Sequence, residues 1–138
     1  MFSDDVVVPP DPAFAYAPTP LYIAANYQAN DSKRGIGPAK TRAGAGLPDD
    51  KFVFCCFSNH YKTTEEICTA GMEILRRSGN AMIWLVGDNE WARRNMLDCA
   101  ARRGVDPARI AFAPRVGPDE YMARLRVADV FLDTLHYN

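Results

Sequence analysis

The chain has 138 residues, of which 16 are Lys or Arg and 17 are Asp or Glu, so its formal net charge is −1. A chain of this length can form one domain that buries roughly 68% of the surface exposed by its unfolded form. The balanced charge produces no field strong enough to attract nucleic acid, so we exclude a DNA- or RNA-binding role.

The N-terminal residues do not resemble a targeting signal, because Asp4 and Asp5 stand where a secretory signal has a basic start and an apolar core. No apolar run approaches the ~20 residues of a membrane span. The four cysteines follow no metal-ligand or disulfide spacing, and we interpret them as small buried side chains in a reducing compartment. They are Cys55, Cys56, Cys68 and Cys99. These features predict a cytoplasmic protein without a membrane segment or a metal site.

Residues 1–50 are predicted to form a connector. They contain most of the prolines and the glycine-rich segment Gly44–Gly46. Two short apolar runs, Val6–Val8 and Leu21–Ala25, predict one or two short strands. Because the glycine-rich segment precedes a strand instead of following one, it does not meet the requirements of a dinucleotide-binding fingerprint.

Residues 51–138 are predicted to form an α/β domain, because short apolar runs alternate with amphipathic stretches of helical period. The first run begins at Phe52 and is apolar on both faces, which is typical of a parallel strand covered by helices. Further strands are predicted at Met82–Val86, Ile110–Ala113 and Val130–Leu132. The sequence therefore indicates a parallel sheet with flanking helices.

Three helices are predicted between these strands. Thr63 and Glu66 form a capping-box pattern at the start of the first helix, Gly104 ends the second, and the third begins near Pro118. The last strand is followed only by residues 133–138, whereas a parallel strand normally leads into a covering helix. We therefore expect an incomplete sheet in a truncated chain.

Four loops leave the carboxyl ends of the predicted strands, and ligands bind parallel sheets at this edge. The loops are Ser58–Lys62, Gly87–Asn89, Pro114–Pro118 and Asp133–Asn138. The sequence thus predicts a ligand site formed from several loops. It contains neither a GxxxxGK phosphate loop nor a GxSxG nucleophile elbow.

Five residues of these loops are candidates for chemistry. Lys62 precedes a helix start and suits a diphosphate, although a solvated surface lysine is the alternative. His60 and His136 could act as a base or a hydrogen-bond donor, but neither has a partner at a diagnostic spacing. Asp88 and Asp133 could bind a ribose hydroxyl or a metal. We favour the simpler interpretation that they cap the next helix or turn.

Four segments in sequence order resemble the carboxyl-terminal catalytic lobe of bacterial relatives of protein O-GlcNAc transferase. They are FVFCCFSNHYK, IWLVGDNEWARRNM, ARRGVDPARIAFAPRV and DEYMARLRVADVFLDTLHYN. LYIAANYQANDSKR resembles the segment leading into this lobe, so the resemblance extends from about Val6 onward. This family, which includes SPINDLY-type O-fucosyltransferases, joins tetratricopeptide repeats to a two-lobed GT-B glycosyltransferase.

The resemblance implies a Rossmann-like fold that forms an incomplete C-terminal half of a GT-B enzyme. Such an enzyme moves a sugar, here expected to be GlcNAc, from a UDP-sugar to Ser or Thr of a protein without a metal. In the family, the lysine of a Tyr-Lys pair contacts the donor diphosphate, and here the pair is Tyr61-Lys62. Lys62 is therefore the implied catalytic residue. Asn59 matches a glutamine that contacts the donor in some members.

The resemblance also implies contacts to the base. The loop Arg115–Pro118 matches the segment that holds uracil and ribose, with Val116 in the backbone-contact position and Arg124 beside the base. Tyr121 replaces a histidine usual beside the base, and its ring can still stack. Pro118 replaces a lysine that contacts the ribose in some members.

Other parts of the family pattern are not in this sequence. The phosphate-holding Gly-His-Thr-Thr or Ala-His-Thr-Thr segment is expected directly after Asn138. The other lobe, with its catalytic-site histidine, and the tetratricopeptide repeats are also missing, so the isolated chain is expected to be inactive. Two alternatives stay open: a non-catalytic nucleotide-binding or interaction remnant, and a free-standing flavodoxin-like domain, against which the uncovered last strand argues.

Overall fold

The computed structural model describes residues 2–11, 17, 19–23 and 31–135. It divides into two compact units, residues 1–34 and residues 35–138. The second unit contains the main sheet and its helices. This unit includes residues 35–50, which the sequence had assigned to the connector.

The described part of the first unit contains two short parallel strands, β1 (Phe2–Ser3) and β2 (Leu21–Tyr22). The run Val6–Val8, predicted as a strand, is not one. The Asp4 carboxylate accepts hydrogen bonds from the amides of Val6 and Val7 at 3.1 and 2.8 Å, which turns the backbone away from an extended path. Residues 24 and 25 of the other predicted run lie outside the described residues.

The main sheet has four parallel strands in the spatial order β5-β4-β3-β6. The strands are β3 (Phe52–Cys56), β4 (Ala81–Val86), β5 (Ile110–Ala113) and β6 (Val130–Phe131). The chain runs outward from β3 to β5 and then returns to the other side of β3. The strand order therefore reverses between β3 and β6, which is where open α/β sheets bind ligands.

Three helices connect these strands: α1 (Glu65–Arg77), α2 (Glu90–Arg102) and α3 (Pro118–Leu125). Helix α1 is capped by Thr64, whose hydroxyl accepts from the Ile67 amide at 3.4 Å, and not by the predicted Thr63. The helix begins one residue later because the Thr63 amide closes a preceding 3-10 turn. None of the described helices is both long and apolar enough to cross a membrane.

The two faces of the sheet carry separate apolar cores. One core joins the sheet to α1 and α2 and includes Met72, Leu75, Ile83, Met96, Cys99 and Ile110. The other lies on the opposite face and includes Leu47, Val53, Cys55, Trp84 and Val127. Because right-handed crossovers in opposite directions place their helices on opposite faces, this division follows from the strand order.

The cysteines have the buried character that the sequence predicted. Cys55, Cys56 and Cys99 are buried, Cys68 is half-buried, and all four are free thiols. Burial raises the pKa of Cys55 to about 12 and also raises that of Cys68. Both thiols therefore stay protonated at neutral pH and are poor nucleophiles.

Arg42 fastens the segment before β3 to the amino ends of two strands. Its guanidinium donates to the carbonyl of Lys51 at 2.6 Å, to that of Val127 at 3.3 Å and to the carboxylate of Asp129 at 2.6 Å. The same carboxylate accepts from the Val53 amide at 2.7 Å. Arg42 and Asp129 therefore hold β3 and β6 together where they enter the sheet.

Gly87 follows β4 and permits a close approach to β5. Its amide donates to the Ala113 carbonyl at 2.7 Å, and an added Cβ would lie 2.7 Å from Cβ of Phe112. We expect Gly87→Ala to lower the free energy of unfolding by about 1–3 kcal/mol, because the backbone must move to relieve this overlap. Denaturant unfolding measures the change.

Gly79→Ala is the matched control, because nothing lies within 4 Å of a Cβ at that position. We expect it to change the free energy of unfolding by no more than about 0.5 kcal/mol. Equal effects of the two substitutions would show that the contact with Phe112 does not limit the residue at position 87.

Candidate functional site

The loops after β3, β4 and β5 meet at the carboxyl edge of the sheet, as predicted. Asp88, in the loop after β4, lies between the loop after β3 and the loop after β5. Oδ1 of Asp88 is hydrogen-bonded to Nε2 of His60, and Oδ2 accepts from Nε of Arg115 at 2.5 Å. Nη2 of Arg115 donates to Oδ1 of Asn59 at 3.0 Å. Four side chains from three loops thus form one polar network.

The network keeps the Asp88 carboxylate ionised. Its hydrogen bond from Arg115, and secondly that with His60, hold the pKa of Asp88 below its usual value of 3.8. The expectation that Asp88 caps the next helix is wrong, because Asn89 caps α2 by accepting from the Ala92 amide at 3.0 Å. The Asp133 carboxylate accepts from the amide of the next residue, Thr134, at 2.8 Å.

Lys62 lies in a 3-10 turn, His60–Lys62, between β3 and α1. The turn is closed by the Lys62 amide, which donates to the Asn59 carbonyl at 2.9 Å. The Lys62 side chain is half-buried, whereas that of Tyr61 is 74% exposed. Lys62 therefore stands ahead of the N-terminus of α1, where backbone N–H groups favour negative charge.

Arg124 is buried and holds the loop after β5. Its guanidinium lies 5.5 Å from the ring centroid of Phe57 and 5.6 Å from that of Trp84, and Nη1 donates to the Pro114 carbonyl at 2.7 Å. Tyr121 meets Phe57 edge-on, with ring centroids 6.1 Å apart. Burial lowers the pKa of Arg124 and raises that of Tyr121, yet both side chains keep their usual charge at neutral pH.

The five residues predicted to bind a donor lie on two loops and one helix. Asn59 and Lys62 belong to the loop after β3, the half-buried Val116 belongs to the loop after β5, and Tyr121 and Arg124 belong to α3. Aromatic contacts join α3 to the loop after β3, and the polar network joins the two loops. The other candidate histidine, at position 136, lies outside the described residues.

A cavity of about 400 Å³ opens between α1 and α2, next to the carboxyl ends of the strands. Its lining includes Ser58 and His60 but, among the described residues, none of the five predicted donor contacts. Within the described ranges, no three His, Cys, Asp or Glu side chains are grouped closely enough to hold a metal ion.

Comparison with known proteins identifies the family. The model of glycosyl transferase family 41 matches residues 25–138, which is most of the chain. The chain belongs to glycosyl transferase family 41. The resemblance that the four sequence segments indicated is therefore confirmed.

Two curated relatives of this family 41 chain have similar names. The probable UDP-N-acetylglucosamine--peptide N-acetylglucosaminyltransferase SEC of Arabidopsis thaliana is 32% identical over an alignment of 140 residues, which includes 97% of this chain. The UDP-N-acetylglucosamine--peptide N-acetylglucosaminyltransferase of Caenorhabditis elegans is 33% identical over 94 residues, which cover 68% of this chain. The matched residues span only 14% and 8% of the two relatives, respectively.

A solved structure confirms the fold. A mutant of the Thermobaculum terrenum O-GlcNAc transferase superposes on 99% of this chain with a TM-score of 0.75 and 21% sequence identity. The match covers 26% of that protein. The prediction of an α/β fold with a parallel sheet and flanking helices, corresponding to part of a GT-B fold, is thus correct.

Sequence reasoning missed the side-chain network of the family 41 chain. The sequence predicts a cap at Asp88 and marks Arg115 only as the start of a loop, although the two form an ion pair. The available signal was the convergence of loops at the ends of neighbouring parallel strands. Which of two adjacent polar residues turns toward a neighbouring loop depends on backbone geometry that the sequence does not state.

The lowered pKa of Asp88 gives a direct test of the network. Because the carboxylate is favoured in the folded state, its stabilising effect is full above the usual pKa of 3.8 that the unfolded chain retains and is lost as pH falls through the lower folded pKa. We expect NMR titration of the Asp88 carboxyl carbon to show a midpoint below 3.8. Arg115→Gln should raise this midpoint.

Arg76→Gln is the control, because Arg76 pairs with Glu73 on α1 and not with the network. It should leave the Asp88 midpoint unchanged. An unshifted Asp88 midpoint in the Arg115→Gln variant would show that the ion pair does not form in solution.

Proposed function

We propose that this chain is part of the donor-binding lobe of an enzyme that transfers GlcNAc from a UDP-sugar to Ser or Thr hydroxyls of proteins. The observation that carries the proposal is the position of Lys62, at the carboxyl end of β3 and ahead of α1, in a chain of family 41. The names of the two relatives support UDP-GlcNAc as the donor and a polypeptide as the acceptor.

Lys62 is the proposed catalytic residue. Transfer breaks the bond between the sugar and a diphosphate oxygen and forms a bond from the sugar to the acceptor hydroxyl oxygen, whose proton is released. Negative charge therefore increases on the diphosphate oxygen as UDP leaves. A lysine ammonium beside that oxygen, together with the N-terminal amides of α1, would stabilise the transition state more than the ground state. In this proposal the positive charge comes from the protein, and the reaction uses no metal.

The other proposed contacts have complementary chemistry. The Asn59 oxygen accepts from Arg115, which leaves its amide hydrogens directed elsewhere and available to a donor oxygen. The backbone of Val116 would bind the uracil, and the half-buried ring of Tyr121 would contact the base. Arg124 would support this side mainly by holding the Pro114 carbonyl.

The acceptor site and much of the catalytic cleft are proposed to lie in other parts of a longer protein, in a second lobe and in tetratricopeptide repeats. The short spans of 14% and 8% that the chain matches in its relatives support this view. We expect the 138-residue chain alone to transfer no sugar, and the natural full-length protein to do so. Transfer of labelled GlcNAc to a protein acceptor measures both.

A non-catalytic nucleotide-binding protein is the second candidate. Pro118 at the first position of α3, where some family members have a ribose-binding lysine, favours it. This candidate predicts that the full-length protein binds UDP in titration calorimetry but transfers no sugar. Measured transfer by the full-length protein would rule out this second candidate. Transfer by the 138-residue chain alone would contradict the proposal that much of the catalytic cleft lies in other parts of a longer protein.

Lys62→Ala tests the catalytic role in the full-length protein. We expect kcat to fall by about 10²–10³, the usual cost of losing one preorganised group that stabilises transition-state charge. Steady-state transfer assays give kcat and KM separately. Lys51→Ala is the matched control, because Lys51 lies at the opposite end of β3, where its ammonium group donates to Oδ1 of Asn80 at 2.9 Å. Equal rates in the two variants would exclude Lys62 from the reaction.

A further inference from the structure

The two loops proposed to bind the donor are not carried by neighbouring strands. Asn59 and Lys62 follow β3, and Val116 follows β5, with β4 between these strands. Adjacent strands lie about 4.8 Å apart, so β3 and β5 are separated by roughly 10 Å. No backbone ladder connects them directly, yet the two loops would have to bind opposite ends of one donor molecule.

The loop of the intervening strand closes this gap. Asp88 uses one carboxylate oxygen for each neighbour, Oδ1 for His60 of the loop after β3 and Oδ2 for Arg115 of the loop after β5. Arg115 then reaches across to Oδ1 of Asn59 at 3.0 Å. A planar carboxylate with two acceptors is well suited to bridge two cationic or donor groups on opposite sides.

Asp88 is itself held by the residues on both sides. The Gly87 amide bonds the Ala113 carbonyl at the end of β5, and Asn89 caps α2. The backbone at position 88 is therefore held against β5 and α2 independently of the contacts of its side chain. The Asp88 side chain is 30% exposed, so the bridge borders the open edge where a ligand would bind.

We propose that Asp88 is a positioning residue that sets the spacing between the donor contacts of the loop after β3, Asn59 and Lys62, and the base contact of the loop after β5, Val116. The part concerning the donor rests on the proposed function. A positioning role and a simple charge effect have opposite consequences. Removing a negative charge near a bound diphosphate, and freeing Arg115, would strengthen UDP binding, whereas loss of the spacing would weaken it.

The first test uses hydrogen–deuterium exchange of the ligand-free full-length protein, with peptides that cover residues 58–62 and 114–117. We expect Asp88→Asn to increase exchange in both loops, because an amide offers one acceptor where the carboxylate offers two. Asp98→Asn, which removes the same charge from an exposed position on α2, should change neither loop. Unchanged exchange in either loop of the Asp88→Asn variant would overturn the bridge.

The second test measures UDP affinity by titration calorimetry at fixed salt. We expect Asp88→Asn to weaken UDP binding about tenfold and Asp98→Asn to leave it unchanged. Arg115→Gln should weaken binding similarly, and the double variant should bind no more weakly than either single variant, because both substitutions remove one bridge. If the Asp88→Asn variant binds UDP as tightly as the unsubstituted protein or more tightly, Asp88 does not position the donor contacts.

The two measurements separate this proposal from the proposed function. If the unsubstituted full-length protein does not bind UDP, the proposed function fails, and the donor part of the positioning role fails with it. Hydrogen exchange still decides whether Asp88 couples the loops. If UDP binds and the loops do not respond to Asp88→Asn, the positioning proposal fails while the proposed function stands.

Discussion

The pairing of β3 with a parallel strand on each side is the constraint on which the rest of this structure depends. The Val53 amide donates to the Asp129 carboxylate and the Val53 carbonyl accepts from the Asp129 amide, so the start of β3 is joined to the residue that precedes β6. The side chain of Val53 is fully buried. Once β3 is fixed between β4 and β6, the strand order reverses beside it, and its loop lies at the carboxyl edge, where open α/β sheets bind ligands.

Much of the sheet could be predicted from local sequence, because its strands are short apolar runs between clear breaks. The observed bounds of β5, Ile110–Ala113, match the predicted ones, and Gly104 has the positive φ of 69° expected at a helix end. The start of α1 was off by one residue, because the 3-10 turn at His60–Lys62 uses an amide that the capping-box pattern assigns to the helix. Periodicity does not report such short turns.

The candidate site was predictable as a location but not as a network. Strand ends identified the loops, and the family resemblance identified Asn59 and Lys62, because both depend on order along the chain. The contacts of Asp88 join residues that are 27 and 28 positions apart in sequence, and no local pattern records them. The residues that Arg124 contacts, Phe57 and Trp84, are still more distant from it in sequence, and these contacts depend on how α3 packs on the sheet.

The burial of Arg124 also affects how this edge would respond to a ligand. A flexible arginine at a binding site loses about 0.5–1.5 kcal/mol of rotamer freedom when it becomes ordered on association. Arg124 is only 6% exposed and is already ordered by two aromatic rings and a backbone carbonyl. Its side-chain entropy is therefore lost during folding, and Arg124 is ordered before any ligand arrives. Selectivity on that side would come from shape more than from rearrangement.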